Sequence, residues 1–213
     1  MKHALIVWGG WQGHEPEQCA HVVRDMLQRN GFAVRIETHT AAFADPALAQ
    51  LDLIVPIFTM SRIEKEECAN FCAAVRSGVG LAGFHGGMCD AFRDSVEYQF
   101  MTGGQWVAHP GGLIDFRVNI NKPQDPVMAG LSDFDYHSEQ YYMHVDPSNE
   151  VLASTTFSGA HAAWIEGVVM PVVWKRRHGQ GRVFYSALGH VAAEFQRPAM
   201  RTLFERGLLW AAR

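Results

Sequence analysis

The chain has 213 residues, of which 48% are hydrophobic and 19% charged, so it can build a sizeable core and disorder is not expected. Its 18 basic and 22 acidic residues leave a net charge of −4, and the longest basic run is Lys175-Arg176-Arg177, which argues against a nucleic-acid partner. No apolar run is long enough for a signal-peptide core or a membrane span. We therefore expect a cytoplasmic protein with no membrane partner.

The first 104 residues alternate between apolar strands and amphipathic helices. Strands are predicted at 3–8, 32–37, 51–58 and 79–84, and helices at 16–30 and 62–76. Because parallel strands need crossover connections, this alternation predicts a doubly wound, mostly parallel α/β sheet with helices on both faces. Ligands bind such sheets beyond the carboxyl ends of the strands, which here are the loops at 9–15, 58–62 and 85–90.

The second half of the chain has strand patterns without long helices between them, so an antiparallel section is expected. These strands are predicted at 113–120, 141–145, 150–156, 172–176 and 182–188, with a closing helix at 198–212. The segment His178-Gly179-Gln180-Gly181 is typical of a hairpin turn. We find no repeat or linker, and residues 1–213 are treated as one domain.

The four cysteines contain no CxxC pair, which predicts free thiols in a reducing compartment. Cys68 and Cys72 are one helical turn apart and could meet a metal together. However, Phe71 and Val75 complete the same apolar stripe, which favours two buried core thiols.

The segment Gly83-Phe84-His85-Gly86-Gly87 has the form of a nucleophile elbow, a sharp turn from a strand into a helix. Such a turn presents its central side chain at the top of the sheet, so we expect His85 to face solvent there. The positive end of the helix dipole would lower the pKa of His85, and the neutral imidazole could accept a proton or bind a metal. The alternative is a turn in which His85 only caps or packs.

A second histidine, His190, follows the predicted strand at 182–188. If this strand joins the sheet of residues 1–104, His190 arrives close to His85. The alternative is a histidine in a surface loop.

Several short motifs together resemble the ThuA-like (trehalose utilisation) family over essentially the whole chain. They are His85-Gly86-Gly87, Tyr98 to Met101, Gly103-Gly104, His109-Pro110, Gly181 to Tyr185 and Leu188-Gly189-His190, and the first loop ending at His14 agrees with them.

The resemblance implies a fold like that of the class I glutamine amidotransferases, in which the elbow carries a cysteine. Here the elbow carries His85, and Cys89 lies one helical turn beyond it. Thiol-based amide hydrolysis is therefore disfavoured.

The resemblance also implies a site and a substrate class. We expect His85, His190 and Glu139 to be catalytic, and we expect substrate-binding roles for Trp11, His14, Tyr98, His109 and Tyr141, with Trp106 as a further stacking surface. The residues His14, His85, His190 and Glu139 are candidate ligands of a divalent metal ion. No nucleotide cofactor is expected.

The leading hypothesis is an enzyme acting on an oxidised, 3-keto disaccharide or glycoside. A histidine would abstract a proton, and elimination followed by hydration would give net hydrolysis. The expected partner is a small sugar derivative, and a homo-oligomer is left open. A non-catalytic sugar-binding or regulatory protein is the first alternative, and a hydrolase that uses Cys89 with His190 is the second.

Overall fold

The computed structural model describes all 213 residues. In chain order its strands are β1 Lys2–Gly10, β2 Phe32–Glu37, β3 Leu53–Thr59, β4 Gly80–Phe84, β5 Gly104–Ala108, β6 Leu113–Ile120, β7 Phe134–Glu139, β8 Tyr142–Val145, β9 Glu150–Thr156, β10 Val169–His178 and β11 Gly181–Ser186. Its α-helices are α1 Pro16–Arg29, α2 Lys65–Arg76, α3 His85–Cys89, α4 Val96–Thr102 and α5 Pro198–Ala211.

Nine strands form one mixed sheet in the order β2-β1-β3-β4-β11-β10-β9-β6-β7. The strands from β2 to β11 in this order are parallel, and β11 pairs directly with β4. Helix α1 packs against α5, and α2 packs against α4, which gives the helical layers of a doubly wound fold. The prediction that the late strand joins the parallel sheet is confirmed.

The rest of the sheet is antiparallel. Strands β10, β9, β6 and β7 extend it beyond β11, and the β10–β11 hairpin turns at Gly179, whose φ is +60°. Strands β5 and β8 form a separate two-stranded antiparallel sheet. The predicted elements agree with the observed bounds within three residues. Strands β5 and β7 and helix α4 were not predicted.

The core lies around the parallel strands. Every residue of β3 and β4 is buried, because helices cover both faces of a parallel sheet. All four cysteines are buried and free, as predicted. None of the helices has the length and apolar character that crossing a membrane requires.

Candidate functional site

The turn from β4 into α3 is a strained elbow, as the sequence predicted. His85 has a φ of +45°, a left-handed conformation that side-chain-bearing residues rarely adopt and that is frequent at functional sites. Two glycines follow it because neighbouring segments lie too close for a side chain. A Cβ on Gly86 would lie 2.7 Å from His14 Cε1, and one on Gly87 would lie 3.1 Å from Ile57 Cα.

The expectation that His85 faces solvent is wrong, since only 1% of the residue is exposed. The ring of Tyr141 stacks on its imidazole with centroids 4.0 Å apart. His85 Nδ1 lies 2.8 Å from the carbonyl oxygen of Ala187. A carbonyl oxygen can only accept, so Nδ1 carries a proton and donates it. In the neutral ring Nε2 is then an acceptor with a free lone pair.

Burial lowers the pKa of His85 to about 4, and the neighbouring Glu139 only partly opposes this shift. The imidazole is therefore neutral at pH 7, as predicted. The predicted cause was different, because α3 is a five-residue helix and desolvation, rather than a helix dipole, dominates.

Glu139 lies at the end of β7 and is surrounded by four histidines. Its Oε2 lies 3.0 Å from His85 Nε2, 3.4 Å from His190 Nδ1 and 3.7 Å from His14 Nε2, and its Oε1 lies 3.6 Å from His109 Nε2. Burial by itself would raise the pKa of the carboxyl group, but the surrounding imidazoles, His14 first among them, hold it below its usual range. The group is an anion within a ring of imidazoles.

Each of the other two inner histidines reaches Glu139 from the carboxyl end of a strand. His14 follows β1, and its Nδ1 lies 2.9 Å from Thr59 Oγ1 at the end of β3. His190 follows β11, and Glu194 Oε2 accepts hydrogen bonds from the backbone N–H groups of Gly189 and His190 at 3.1 and 3.0 Å. The ring of His14 and the backbone of His190 are therefore held in place by groups outside the cluster.

His190 is less buried than His85 and its pKa shifts in the opposite direction. Burial would lower the pKa of His190, but the hydrogen bond and charge of Glu139 outweigh burial and raise it. The two neighbouring imidazoles therefore have different affinities for a proton.

The cluster fits a bound cation. The lone pair of neutral His85 Nε2 points at the anionic Glu139 Oε2 over 3.0 Å, which is repulsive unless a positive charge lies between them. His14, His85, Glu139 and His190 each offer one ligand atom, and these atoms all lie within 4.8 Å of one another. Zinc with ~2.0–2.1 Å bonds to nitrogen and oxygen places its ligand atoms about 3.3 Å apart. The three histidine nitrogens lie 3.0, 3.4 and 3.7 Å from Glu139 Oε2, close to that separation.

The remaining predicted residues divide between the site and the core. The indole of Trp11 is 45% exposed and meets His14 edge-on with ring centroids 4.7 Å apart, at the outer side of the cluster. The side chain of His109 is 36% exposed, and its ring lies 5.6 Å from that of Trp106. Tyr141 is 4% exposed and supports the His85 ring.

The expected substrate contact of Tyr98 is wrong, because α4 turns this residue into the core. Tyr98 is 1% exposed, its hydroxyl donates to the Met88 carbonyl at 3.0 Å, and its ring packs against Phe71 and Phe92. It supports the helix after the elbow.

Sequence reasoning missed two residues that position the histidines. Thr59 is a polar residue at the carboxyl end of an otherwise apolar strand, and this signal could have identified it. Glu194 follows His190 by four residues in an irregular segment, and no pattern distinguishes it.

Comparisons with known proteins agree with this architecture. The sequence profile of the ThuA family, described as trehalose utilisation, matches residues 3–211. The chain belongs to the ThuA family. No functionally curated protein matches the sequence.

Solved structures resemble this ThuA chain in fold. A ThuA-like protein from Bacteroides uniformis has a TM-score of 0.81 at 20% identity, over 99% of this chain and 91% of that one. A ThuA-like protein from Parabacteroides merdae has a TM-score of 0.79 at 20% identity, over 99% and 89%. A β-galactosidase from Bacillus circulans has a TM-score of 0.59 at 16% identity, over 96% of this chain and 31% of that enzyme.

Proposed function

We propose that this ThuA chain is an enzyme of sugar metabolism that hydrolyses an oxidised, 3-keto disaccharide or glycoside by elimination and hydration. The observation that carries the proposal is the buried cluster of histidines around Glu139, with converging ligand atoms at the carboxyl edge of the parallel strands. The family's link to trehalose utilisation supports a sugar substrate, and the 3-keto group is part of our proposal.

The chemistry follows from the ketone. A carbonyl at C3 acidifies the C2 proton, and removal of that proton gives an enolate. The enolate electrons form a C1–C2 double bond as the C1–O bond breaks, and the leaving oxygen takes the electron pair and a proton. Addition of water across the double bond restores the saturated ring and completes a net hydrolysis.

We place His14, His85, Glu139 and His190 as ligands of a divalent cation. Such a cation, when bound, supplies Lewis-acid polarisation of the substrate ketone. The Ala187 carbonyl fixes the tautomer of His85, and Thr59 orients the ring of His14, so that both Nε2 atoms face the cluster.

We assign the removal of the C2 proton to His109. It contacts Glu139 through Nε2 but lies outside the set of four ligand atoms, and its side chain is the most exposed of the histidines around Glu139. A base must reach the substrate, and the buried His85 cannot do so while its Nε2 faces the cation. Trp11, exposed beside His14, provides a face on which a sugar ring can stack.

The test is turnover of a panel of 3-keto-glycosides by the purified chain, with and without added Zn²⁺ or Mn²⁺ and with elemental analysis of the protein. We expect turnover that a chelator removes, and His109→Ala should lower kcat ~10²–10⁴-fold without loss of bound metal. Tight sugar binding without turnover across the panel would favour the non-catalytic sugar-binding alternative.

The structure disfavours the Cys89 hydrolase. Cys89 is 2% exposed, and burial raises the pKa of its thiol well above the usual value. Reactive cysteines are partly exposed and have lowered pKa values. Alkylation of Cys89 should therefore be slow and should not be the cause of any loss of activity.

A further inference from the structure

Strand β7 carries Glu139 but is paired with another strand along one side only. It is the outermost strand of the sheet and pairs with β6 alone. Its side chains Asp135 and His137 pair with side chains of β6 at the surface, and such exposed pairs contribute little to stability. The polar side chains that connect β7 to the rest of the protein are those of Glu139 and Tyr136.

Tyr136 reaches the buried carboxylate that holds the backbone of His190. Its hydroxyl oxygen lies 2.6 Å from Glu194 Oε2, which also accepts from the backbone N–H groups of Gly189 and His190 at 3.1 and 3.0 Å. Backbone N–H groups can only donate, so Oε2 carries no proton and the Tyr136 hydroxyl donates to it. The short distance is typical of a charge-assisted O–H···O⁻ hydrogen bond, which is roughly twice as strong as a neutral one.

We propose, on the basis of the metal role proposed above, that Tyr136 is a positioning residue. It acts through Glu194 to hold the strand that carries Glu139 at a fixed distance from the loop that carries His190. Glu139 Oε2 lies 3.4 Å from His190 Nδ1, and metal–ligand distances tolerate only about ±0.2 Å. A small shift of β7 relative to this loop would therefore remove one ligand from the cation.

The ring of Tyr136 is held independently of its hydroxyl. Tyr136 is 2% exposed, and its ring packs against those of Phe116 and Phe134 with centroids 5.9 and 6.0 Å away. The Arg197 guanidinium lies over the same ring, 4.9 Å from its centroid. Tyr136→Phe therefore keeps this packing and removes only the hydroxyl. In this variant Glu194 keeps its bonds to the two backbone N–H groups and loses its bond to β7.

The first experiment measures binding of Zn²⁺ alone to the full chain by calorimetry, well below the temperature at which any variant unfolds. We expect Tyr136→Phe to lower the Zn²⁺ affinity ~10–100-fold, as is typical when a group that orients a metal ligand is lost. The visible absorption of bound Co²⁺, which reports ligand geometry, should also change. The matched control is Thr102→Val, which removes another buried hydroxyl, one that donates to the Gly104 carbonyl at 3.2 Å. It should lower Tm and leave both metal readouts unchanged.

A double-mutant cycle tests whether the effect of Tyr136 passes through Glu194. In the Glu194→Ala background the Tyr136 hydroxyl has no carboxylate to bind, so Tyr136→Phe should cause no further loss of Zn²⁺ affinity. Equal Zn²⁺ affinity of the wild type and Tyr136→Phe would overturn the proposal while leaving the metal site intact. The same loss in both backgrounds would also overturn it, because the hydroxyl would then act without the carboxylate.

Urea unfolding of the metal-free chain tests the Tyr136–Glu194 connection without a cation. Tyr136→Phe should raise the equilibrium constant of unfolding ~10–100-fold in the wild-type background, as expected for a hydrogen bond to a charged group, and leave it unchanged in Glu194→Ala. A wild type that binds neither Zn²⁺ nor Co²⁺ would refute the metal role of the cluster. The unfolding cycle then decides the connection alone, and equal effects of Tyr136→Phe in the two backgrounds would overturn it.

Discussion

Replacing Gly86 with alanine should damage the site without removing any of its ligands. The new Cβ would lie 2.7 Å from His14 Cε1 and 2.9 Å from Nδ1 of the same ring. Carbon atoms pack at ~3.5–4.0 Å, so the ring must retreat by about 0.8 Å or more. Metal–ligand distances tolerate about ±0.2 Å, and we therefore expect the affinity for Zn²⁺ to fall at least ~10–100-fold.

The fold should survive this change. Gly86 lies in α3 and does not have a positive φ, and alanine in a helix is favoured over glycine by ~0.5–1 kcal/mol. Zn²⁺ affinity is measured by calorimetry and stability by thermal unfolding. The control is the same substitution in a His14→Ala, Thr59→Ser background. This background removes both the ring and the Thr59 Cγ2 atom that lies 2.9 Å from the new Cβ, so the methyl group has space and should not change the affinity further. Equal Zn²⁺ affinity of the wild type and Gly86→Ala would refute the assignment of His14 to the cluster.

Three further predictions concern the groups around the cluster. Folding lowers the pKa of His85 from 6.5 to about 4. The metal-free chain should therefore lose up to ~3 kcal/mol of unfolding free energy as the pH falls from 6.5 to 4. Urea titrations should show this loss in the wild type and not in His85→Phe. Glu194→Ala should lower the free energy of unfolding by ~3 kcal/mol and weaken Zn²⁺ binding, because it frees the His190 loop. Glu194→Gln should retain part of the stability and part of the Zn²⁺ affinity, and equal losses in the two variants would contradict this role. Trp11→Ala should raise KM about tenfold with kcat little changed, and an unchanged KM would exclude stacking.

The parallel half of the fold was predictable because its signals are local. Residues 53–58 form a continuous apolar run. The helices at 16–30 and 62–76 each have an amphipathic stripe, and a glycine follows the end of each. By contrast, β7 is the outermost strand of the sheet and carries charged and polar residues. It has one neighbouring strand and one covered face, so its sequence contains no continuous apolar run. Helix α4 is short and exposes Val96 and Phe100, so its periodicity is blurred.

The histidines of the site were predictable from their position after strands, since parallel strands bring their carboxyl ends to one edge. Glu139 is different, because it belongs to the antiparallel half and only the family resemblance pointed to it. The burial of His85 could not be read from its own segment, since Tyr141, which covers it, comes from a part of the chain more than fifty residues away. Tyr98 was misassigned for a similar reason, because an aromatic residue in a short helix fits a core and a sugar site equally well.

Because β7 is the outermost strand of the sheet, local unfolding of this strand affects the site. Edge strands open more readily than central ones, and opening of β7 would withdraw Glu139 and leave the three inner histidines without their anion. A ligand that binds all four side chains must therefore also hold this strand closed. Amide hydrogen exchange along residues 134–139 should slow when the cluster is filled, although these amides lie in the strand farthest from the parallel core.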